Sequence, residues 1–331
     1  MIELEKQEKI EKKFLYLAPM MKRTDRHFRY LARIISPNLH LFTEMIPVEM
    51  LIYGNREKAL KYSSFEKPVA IQLGGSNPES LSKAAEVSAA RGYDEINLNC
   101  GCPSRHVLSG SFGAYMMQNP KLTAICVEAM RIATPEEIPI SVKIRLGIDN
   151  LDSYGYLRDF VGRLIEAGAG IVHVHARKAM IRLTPKKNRT IPPINYAWVY
   201  KLKAEYKKAL ITVNGEISSV CSVKAHLSQL DGVMIGRYAY ARPLELIDFD
   251  RSVFTKPLAR KKNVLEIINR YLNYAEKQMT EGASPRKVLQ HLFNLFHDRP
   301  YAKCWRQLLA KQISTGTIKI EELQAQAGKL A

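Results

Sequence analysis

The chain has 331 residues, a hydrophobic fraction of 46%, and 50 Lys and Arg against 32 Asp and Glu, for a formal charge of +18. That length exceeds one ordinary domain and allows a large core, while no apolar run approaches the roughly 18 residues needed to cross a bilayer, and mean hydropathy is −0.20. The charge surplus excludes little by itself but points to a polyanionic partner, either a nucleic acid or an anionic membrane surface.

Residues 1–13 read as a charged extension without the apolar core of a signal peptide. Short apolar runs follow, at Phe14–Leu17, Leu41–Met45, Val69–Leu73, Glu95–Asn99, Ile140–Ile144, Ile171–His175, Ile211–Asn214 and Gly232–Gly236. They are rich in β-branched residues and mostly separated by segments of helical spacing, such as Pro78–Arg91 and Asp152–Ala167. Eight strands with helical crossovers suit a closed parallel barrel or an open doubly wound sheet. No G-x-G-x-x-G follows the first strand, so the reading is an α/β fold, a (β/α)₈ TIM barrel over residues 14–250.

Beyond residue 250 the pattern turns helical, with segments at Val264–Gln278, Pro285–Phe296, Lys303–Ser314 and Glu321–Lys329 behind a linker at Thr255–Lys262. An all-helical C-terminal domain is predicted over 251–331. It holds 15 Lys and Arg against 6 Asp and Glu, half of the net charge in a quarter of the chain. Alone, such a surplus is more often a solvated helical face. A second basic run, through Arg177, Lys178, Arg182, Lys186, Lys187 and Arg189, follows the sixth strand and favours nucleic acid. The five cysteines, Cys100, Cys102, Cys126, Cys221 and Cys304, are odd in number and lack C-x-x-C spacing. That argues against a disulfide framework or a metal site and for a reducing cytoplasm.

Barrel chemistry sits at the C-terminal ends of strands. Here those ends carry Pro19, Met20 and Met21, then Glu44, Gln72, Asn99, Lys143 with Arg145, His175, Asn214 with Gly215, and Gly236 with Arg237. The loops after strands seven and eight often hold a phosphate, and Gly215 and Arg237 offer close backbone approach and charge. An ordinary turn explains a Gly-Arg pair about as well. With Gln72, Lys143 and His175 pointing inward, the set suits flavin mononucleotide (FMN). His173, two residues earlier, reads as structural.

The stretch Gly92-Tyr-Asp-Glu-Ile-Asn-Leu-Asn-Cys-Gly-Cys-Pro-Ser104 resembles the signature of the tRNA-dihydrouridine synthases, a family of FMN barrels. The likeness extends through Leu17–Met20, Thr24–His27, Thr43–Met45, Gln72–Gly75, Gly110–Ala114, Lys143–Asp149, His175–Ala179, Leu183–Pro193 and Asp231–Arg237, and is similar to the A-type bacterial branch in particular. The resemblance implies FMN contacts at Pro19, Met20, Met21, Gln72, Lys143, His175, Asn214, Gly215, Glu216, Gly236 and Arg237. It implies a catalytic acid at Cys102 rather than Cys100, and tRNA contacts at Asn99, Lys186, Arg189, Lys303 and Arg306. NADPH would be the reductant, tRNA the partner, and D-loop positions 20 and 20a the targets. Two departures stand out. The branch pattern Asn-Gly-Gly reads Asn214-Gly-Glu216 here, which places a carboxylate near the expected phosphate. Lys303 stands where the family commonly has arginine, replacing a planar fork by a point charge.

The chemistry fits these residues. Reducing the uracil C5–C6 double bond needs a hydride at C6 and a proton at C5, the latter from an acid that is protonated near neutrality, as a thiol with an ordinary pKa near about 8.5 is. Asn97 and Asn99 alternate with Ile96 and Leu98 and so share a face. Asn99, Lys143 and Arg145 are candidates for hydrogen bonds to the uracil edge. Two rivals remain open: an FMN barrel reducing a free pyrimidine, and a non-catalytic RNA-binding protein on a barrel scaffold.

Overall fold

The computed structural model describes residues 13–104, 107, 110–254 and 263–330. The charged extension, apart from Lys13, and the linker Thr255–Lys262 lie outside the described residues.

The eight apolar runs all form strands: β1 (Phe14–Leu17), β2 (Leu41–Pro47), β3 (Val69–Gly74), β4 (Glu95–Asn99), β5 (Ile140–Arg145), β6 (Ile171–His175), β7 (Leu210–Asn214) and β8 (Gly232–Ile235). Each pairs in parallel with its sequence neighbour from β2 through β8, and β8 pairs with β1. The ring closes through a parallel bridge between Tyr16 and His40, with Leu17 N and His40 N each donating across the seam at 2.8 Å. The fold is the (β/α)₈ barrel expected, followed by C-terminal helices.

The crossover helices start where short polar side chains replace the missing helical acceptors. Asn77, Asn119, Ser153, Asn195 and Ser219 each accept from the backbone N–H three residues on, at the heads of Pro78–Arg91, Pro120–Ile132, Tyr154–Glu166, Tyr196–Glu205 and Val220–Leu227. Proline at the first turn of two of them fits the same geometry. Apolar faces of these helices and the outward faces of the strands build one continuous core.

The barrel interior is divided by chemistry. Tyr16, Ala18, Phe42, Ala70 and Met234 form an apolar wedge on the β1–β3 and β8 side. Opposite them the inward positions are polar: Glu95 and Asn97 on β4, Ser141 on β5, His173 on β6 and Thr212 on β7, all with 0% exposure. A barrel interior is usually filled by branched apolar residues, so this polar half needs a complete set of partners.

The tail is docked on the barrel. Its helix Val264–Thr280 lies against the first barrel helix, Arg26–Ile35, where Tyr274 stacks on Tyr30 with ring centres 3.8 Å apart and meets His27 Nδ1 at 2.8 Å. Trp305, fully buried on helix Ala302–Thr315, donates to the Leu292 carbonyl at 2.7 Å. The continuous helix expected over Pro285–Phe296 differs from the one found. The α-helix stops at Leu289 and tightens into a 3₁₀ turn, Gln290–Asn294. The reason is tertiary: the Tyr271 hydroxyl and the Trp305 indole capture the Val288 and Leu292 carbonyls, and buried His291 meets Asp25 at 2.9 Å. Residue 250 falls inside helix Leu246–Val253, where the buried Asp250 carboxylate accepts from Ser36 and Asn38. Among the described residues no helix is long and apolar enough to cross a membrane.

Candidate active site

A cavity of about 1080 Å³ opens at the C-terminal ends of the strands. Every FMN position implied by the sequence lines it: Pro19, Met20 and Met21 after β1, Gln72 on β3, Lys143 on β5, His175 on β6, Asn214, Gly215 and Glu216 at β7, and Gly236 and Arg237 at β8. Asn99, Cys102, Arg145 and Arg189 line the same cavity. Lys186 is exposed on the loop that carries Arg189 but does not line it. Lys303 and Arg306 are exposed on helix Ala302–Thr315 and also stand outside the lining.

Strand register explains the grouping. Asn99 pairs with Lys143, Arg145 with His175, and His175 with Asn214. Lys143 Nζ donates to Asn214 Oδ1 at 3.2 Å, and Asn214 Nδ2 donates to the Met234 carbonyl at 2.8 Å, which fixes that amide. Burial, with Arg145 alongside, pulls the Lys143 ammonium down to about 7. Burial also draws Arg145 down to about 10. His175 is pushed well below its ordinary value by burial and by the surrounding cations Arg145, Lys143, Arg177 and Arg237, so it is neutral at physiological pH. Its buried Nδ1 has no hydrogen-bond partner among the described residues.

Among the described residues, Arg23, Lys143, Arg145, Arg189 and Arg237 line the cavity against one carboxylate, Glu216. That carboxylate is already engaged. Glu216 adopts φ 50° after Gly215 at φ 131°, and accepts from Arg177 at 2.5 Å. Lys143, Arg145 and Arg189 are drawn down by burial and by neighbouring cations, and an anionic occupant would relieve them.

Cys102 sits half-buried on the loop after β4, and its thiol donates to Ser104 Oγ at 3.5 Å. Its backbone N–H donates to Asn99 Oδ1 at 3.0 Å, and its carbonyl accepts from Ala114 N at 3.0 Å. Gly113, at φ 66°, makes room for it: a β-carbon there would lie 2.7 Å from the Cys102 carbonyl and 2.3 Å from Val107. Cys100 is fully buried, does not line the cavity, and has its thiol pushed well up by that burial.

Asn99 and Arg145 are more committed than their sequence positions suggest. Asn99 donates to Gln72 Oε1 at 2.7 Å and accepts from Gly101 N and Cys102 N. Arg145 donates to the Gly101 carbonyl at 2.8 Å and to the carbonyls of Lys178 and Asn188 at 3.1 and 3.3 Å. It thereby ties the Cys102 loop to the basic loop. Arg23, Ser104 and Tyr238 line the cavity without having been singled out in sequence. Position after a strand end was the available signal for Arg23 and Tyr238. Among the described residues no group of three or more His, Cys, Asp or Glu is placed to hold a metal ion.

Comparison with known proteins gives the family. The family model described as dihydrouridine synthase matches residues 16–330. A Synechocystis protein named tRNA-dihydrouridine(20/20a) synthase is 44% identical over 311 residues, covering 94% of this chain and 92% of that protein. Proteins of the same name from Xanthomonas campestris and Shewanella oneidensis are each 42% identical, over 90% and 92% of this chain and 88% and 90% of their own lengths.

Proposed function

The chain belongs to the dihydrouridine synthase family and is an oxidoreductase acting on tRNA, and from that premise we propose an FMN-dependent, NADPH-driven reduction of uridine to dihydrouridine at D-loop positions 20 and 20a. The observation that carries this reading is that Cys102 shares one cavity with Lys143, His175 and Arg237. The same two target positions appear in the names of the relatives.

The residues present fit FMN. The cavity joins a cationic donor set to the open, glycine-bearing ends of β7 and β8, and His175 offers a buried, unpartnered Nδ1. Arg237 and the backbone from Asn214 to Glu216 would hold the phosphate. Gln72, Lys143 and His175 would hold the ring system, with Pro19, Met20 and Met21 covering it. Bound there, FMN reduced by NADPH would supply the hydride that uracil C6 receives.

The protein's own task is the second hydrogen. Cys102 gives its thiol proton to uracil C5, so the C5–C6 double bond becomes a single bond and the thiolate is left to be reprotonated from solvent. Asn99 and Arg145 seat the Cys102 loop through its backbone, at the wall of the cavity that Cys102 lines. A base inside a stacked helix cannot reach a barrel mouth, so the target uridine is extruded while Lys186, Arg189, Lys303 and Arg306 hold the phosphates around it. The free-pyrimidine alternative has no use for the exposed cations Lys186, Lys303 and Arg306.

The test is reconstitution. The purified protein is expected to be yellow, to release one FMN per chain on denaturation, and to convert uridine to dihydrouridine in unmodified tRNA with NADPH. A protein that neither holds FMN nor takes it up on reconstitution overturns the reading.

A further inference from the structure

Glu95 lies on the floor of the barrel, fully buried, on the same strand as Asn97 and Asn99 and on the same inward face. Its Oε1 accepts from Ser141 Oγ at 2.5 Å and lies 2.9 Å from His173 Nε2. Ser141 Oγ in turn accepts from Asn97 Nδ2 at 2.7 Å, Asn97 Oδ1 accepts from Gln72 Nε2 at 2.7 Å, and Gln72 Oε1 accepts from Asn99 Nδ2 at 2.7 Å. Asn99 Oδ1 ends the series by accepting from Gly101 N and Cys102 N, the latter at 3.0 Å.

All these bonds point one way, and the reason is chemical. An ionised carboxylate can only accept. Ser141 must therefore spend its hydrogen on Glu95 and turn a lone pair to Asn97, which must present its NH₂. That leaves the Asn97 carbonyl to Gln72, and the same logic passes to Asn99. The far end demands the same polarity, because the backbone amides of Gly101 and Cys102 can only donate. Aligned hydrogen bonds in a low-dielectric interior polarise and strengthen one another. Burial opposes the Glu95 charge, but His173, His40 and the Ser141 hydroxyl outweigh it and hold the carboxyl below the ordinary range.

We propose that Glu95 is a positioning residue, whose carboxylate sets the direction of a hydrogen-bond relay that orients Gln72 and Asn99 and, through them, seats the Cys102 loop. The relay spans the three strands β3 to β5 and reaches from the barrel floor to the cavity. It rests on the reading of Cys102 as the acid and Gln72 as a flavin contact, and adds a residue that touches neither substrate nor cofactor. A neutral side chain at 95 can offer Ser141 either a donor or an acceptor, so the sense of the relay is then held from the Gly101 and Cys102 end alone and is no longer fixed at the barrel floor.

The test uses the FMN-loaded full chain as wild type, Glu95→Gln, Ser141→Ala and Ser141→Thr. Side-chain amide spectra of Asn- and Gln-labelled protein, with the Cys102 backbone amide, are read beside single-turnover dihydrouridine formation. Ser141→Ala cuts the relay and takes one donor from Glu95, while leaving the cavity lining as it is. It is expected to shift the Asn97, Gln72, Asn99 and Cys102 amide signals, and to slow dihydrouridine formation by roughly 10- to 100-fold, the scale for a slightly misplaced reacting group. KM for tRNA should stay unchanged. Ser141→Thr, which keeps the hydroxyl, should restore both readouts, and Glu95→Gln should resemble Ser141→Ala. A perturbation confined to Asn97, or a rate loss that threonine does not rescue, overturns the relay and leaves a packing defect. Should wild type itself form no dihydrouridine, the functional reading fails, and the amide shifts alone decide the relay.

Discussion

The Glu216 carboxylate and the Arg177 guanidinium meet at 2.5 Å across the loops that follow β7 and β6, one side chain 48% exposed and the other 6%. The pairing shows how a carboxylate sits beside a cavity otherwise lined with cations. Its charge is held by an arginine of the neighbouring loop. Arg177→Ala would leave that carboxylate unbalanced beside the proposed phosphate position and is expected to weaken FMN retention by about tenfold, the scale of one charge roughly 12 Å away at an effective dielectric near 20. Glu216→Ala should have the opposite sign, tightening FMN binding and steepening its salt dependence. Equilibrium titration of the flavin-free protein at two salt concentrations measures both.

Cys102 and Cys100 are two residues apart but differ in access. Cys102→Ala is expected to retain FMN, NADPH oxidation and tRNA binding, while dihydrouridine formation falls by about two to four orders of magnitude, the usual range for a general acid. Cys100→Ala should leave the rate nearly unchanged, because that thiol is enclosed in the core. Single-turnover assays of the two variants give the ranking. The reverse order would move the acid to Cys100.

Lys143 links the site to pH. Without an anion nearby its ammonium is drawn from 10.5 to about 7 by burial. An anionic ligand restores the charge, so binding takes up a proton between about 7 and the restored value, and affinity falls as pH rises through that window. Calorimetry of FMN binding at a pH of about 8.5, inside that window, in two buffers of different ionisation heat should show proton uptake, and Lys143→Met should abolish it. The sign for stability is set by the same shift. Between about 7 and 10.5 the unfolded chain keeps a proton that the folded, flavin-free protein has released, so this group's contribution to stability rises with pH across that interval. FMN should diminish that dependence.

Lys303 and Arg306 lie three residues apart on one helix face, both exposed, while Trp305 between them is buried. Replacing both by alanine is expected to weaken tRNA binding and to flatten the plot of log K against log salt, by about 0.7 to 0.9 for each phosphate that is no longer neutralised. Flavin content should not change, since neither residue lines the cavity. An unaltered salt slope would reduce the two cations to an ordinary solvated face.

The barrel was legible because its strands are short β-branched runs between helical segments, and the cavity because polar residues close those runs. The polar half of the interior was only half visible. Asn97 and Asn99 stood out as neighbours on one face, yet Glu95, Ser141 and His173 continue the same period-two pattern one step deeper. What joins them is barrel curvature and register, which bring β4, β5 and β6 together across gaps of 46 and 78 residues. The pairing of Glu216 with Arg177 was hidden for the same reason, since 39 residues separate them. The docking of the tail depends on Tyr274 meeting Tyr30 and His27, and His291 meeting Asp25. Nothing local to either segment announces those contacts, nor the capture of the Val288 and Leu292 carbonyls by Tyr271 and Trp305 that, with His291, cuts the helix at Leu289 short.

The central claim is tested most directly by mapping dihydrouridine in tRNA from a strain lacking this gene, complemented with wild type or with Cys102→Ala. Wild type is expected to restore dihydrouridine at D-loop positions 20 and 20a, and Cys102→Ala to leave uridine at both despite normal FMN content. Dihydrouridine at those positions in the uncomplemented strain, or full restoration by Cys102→Ala, would contradict the account.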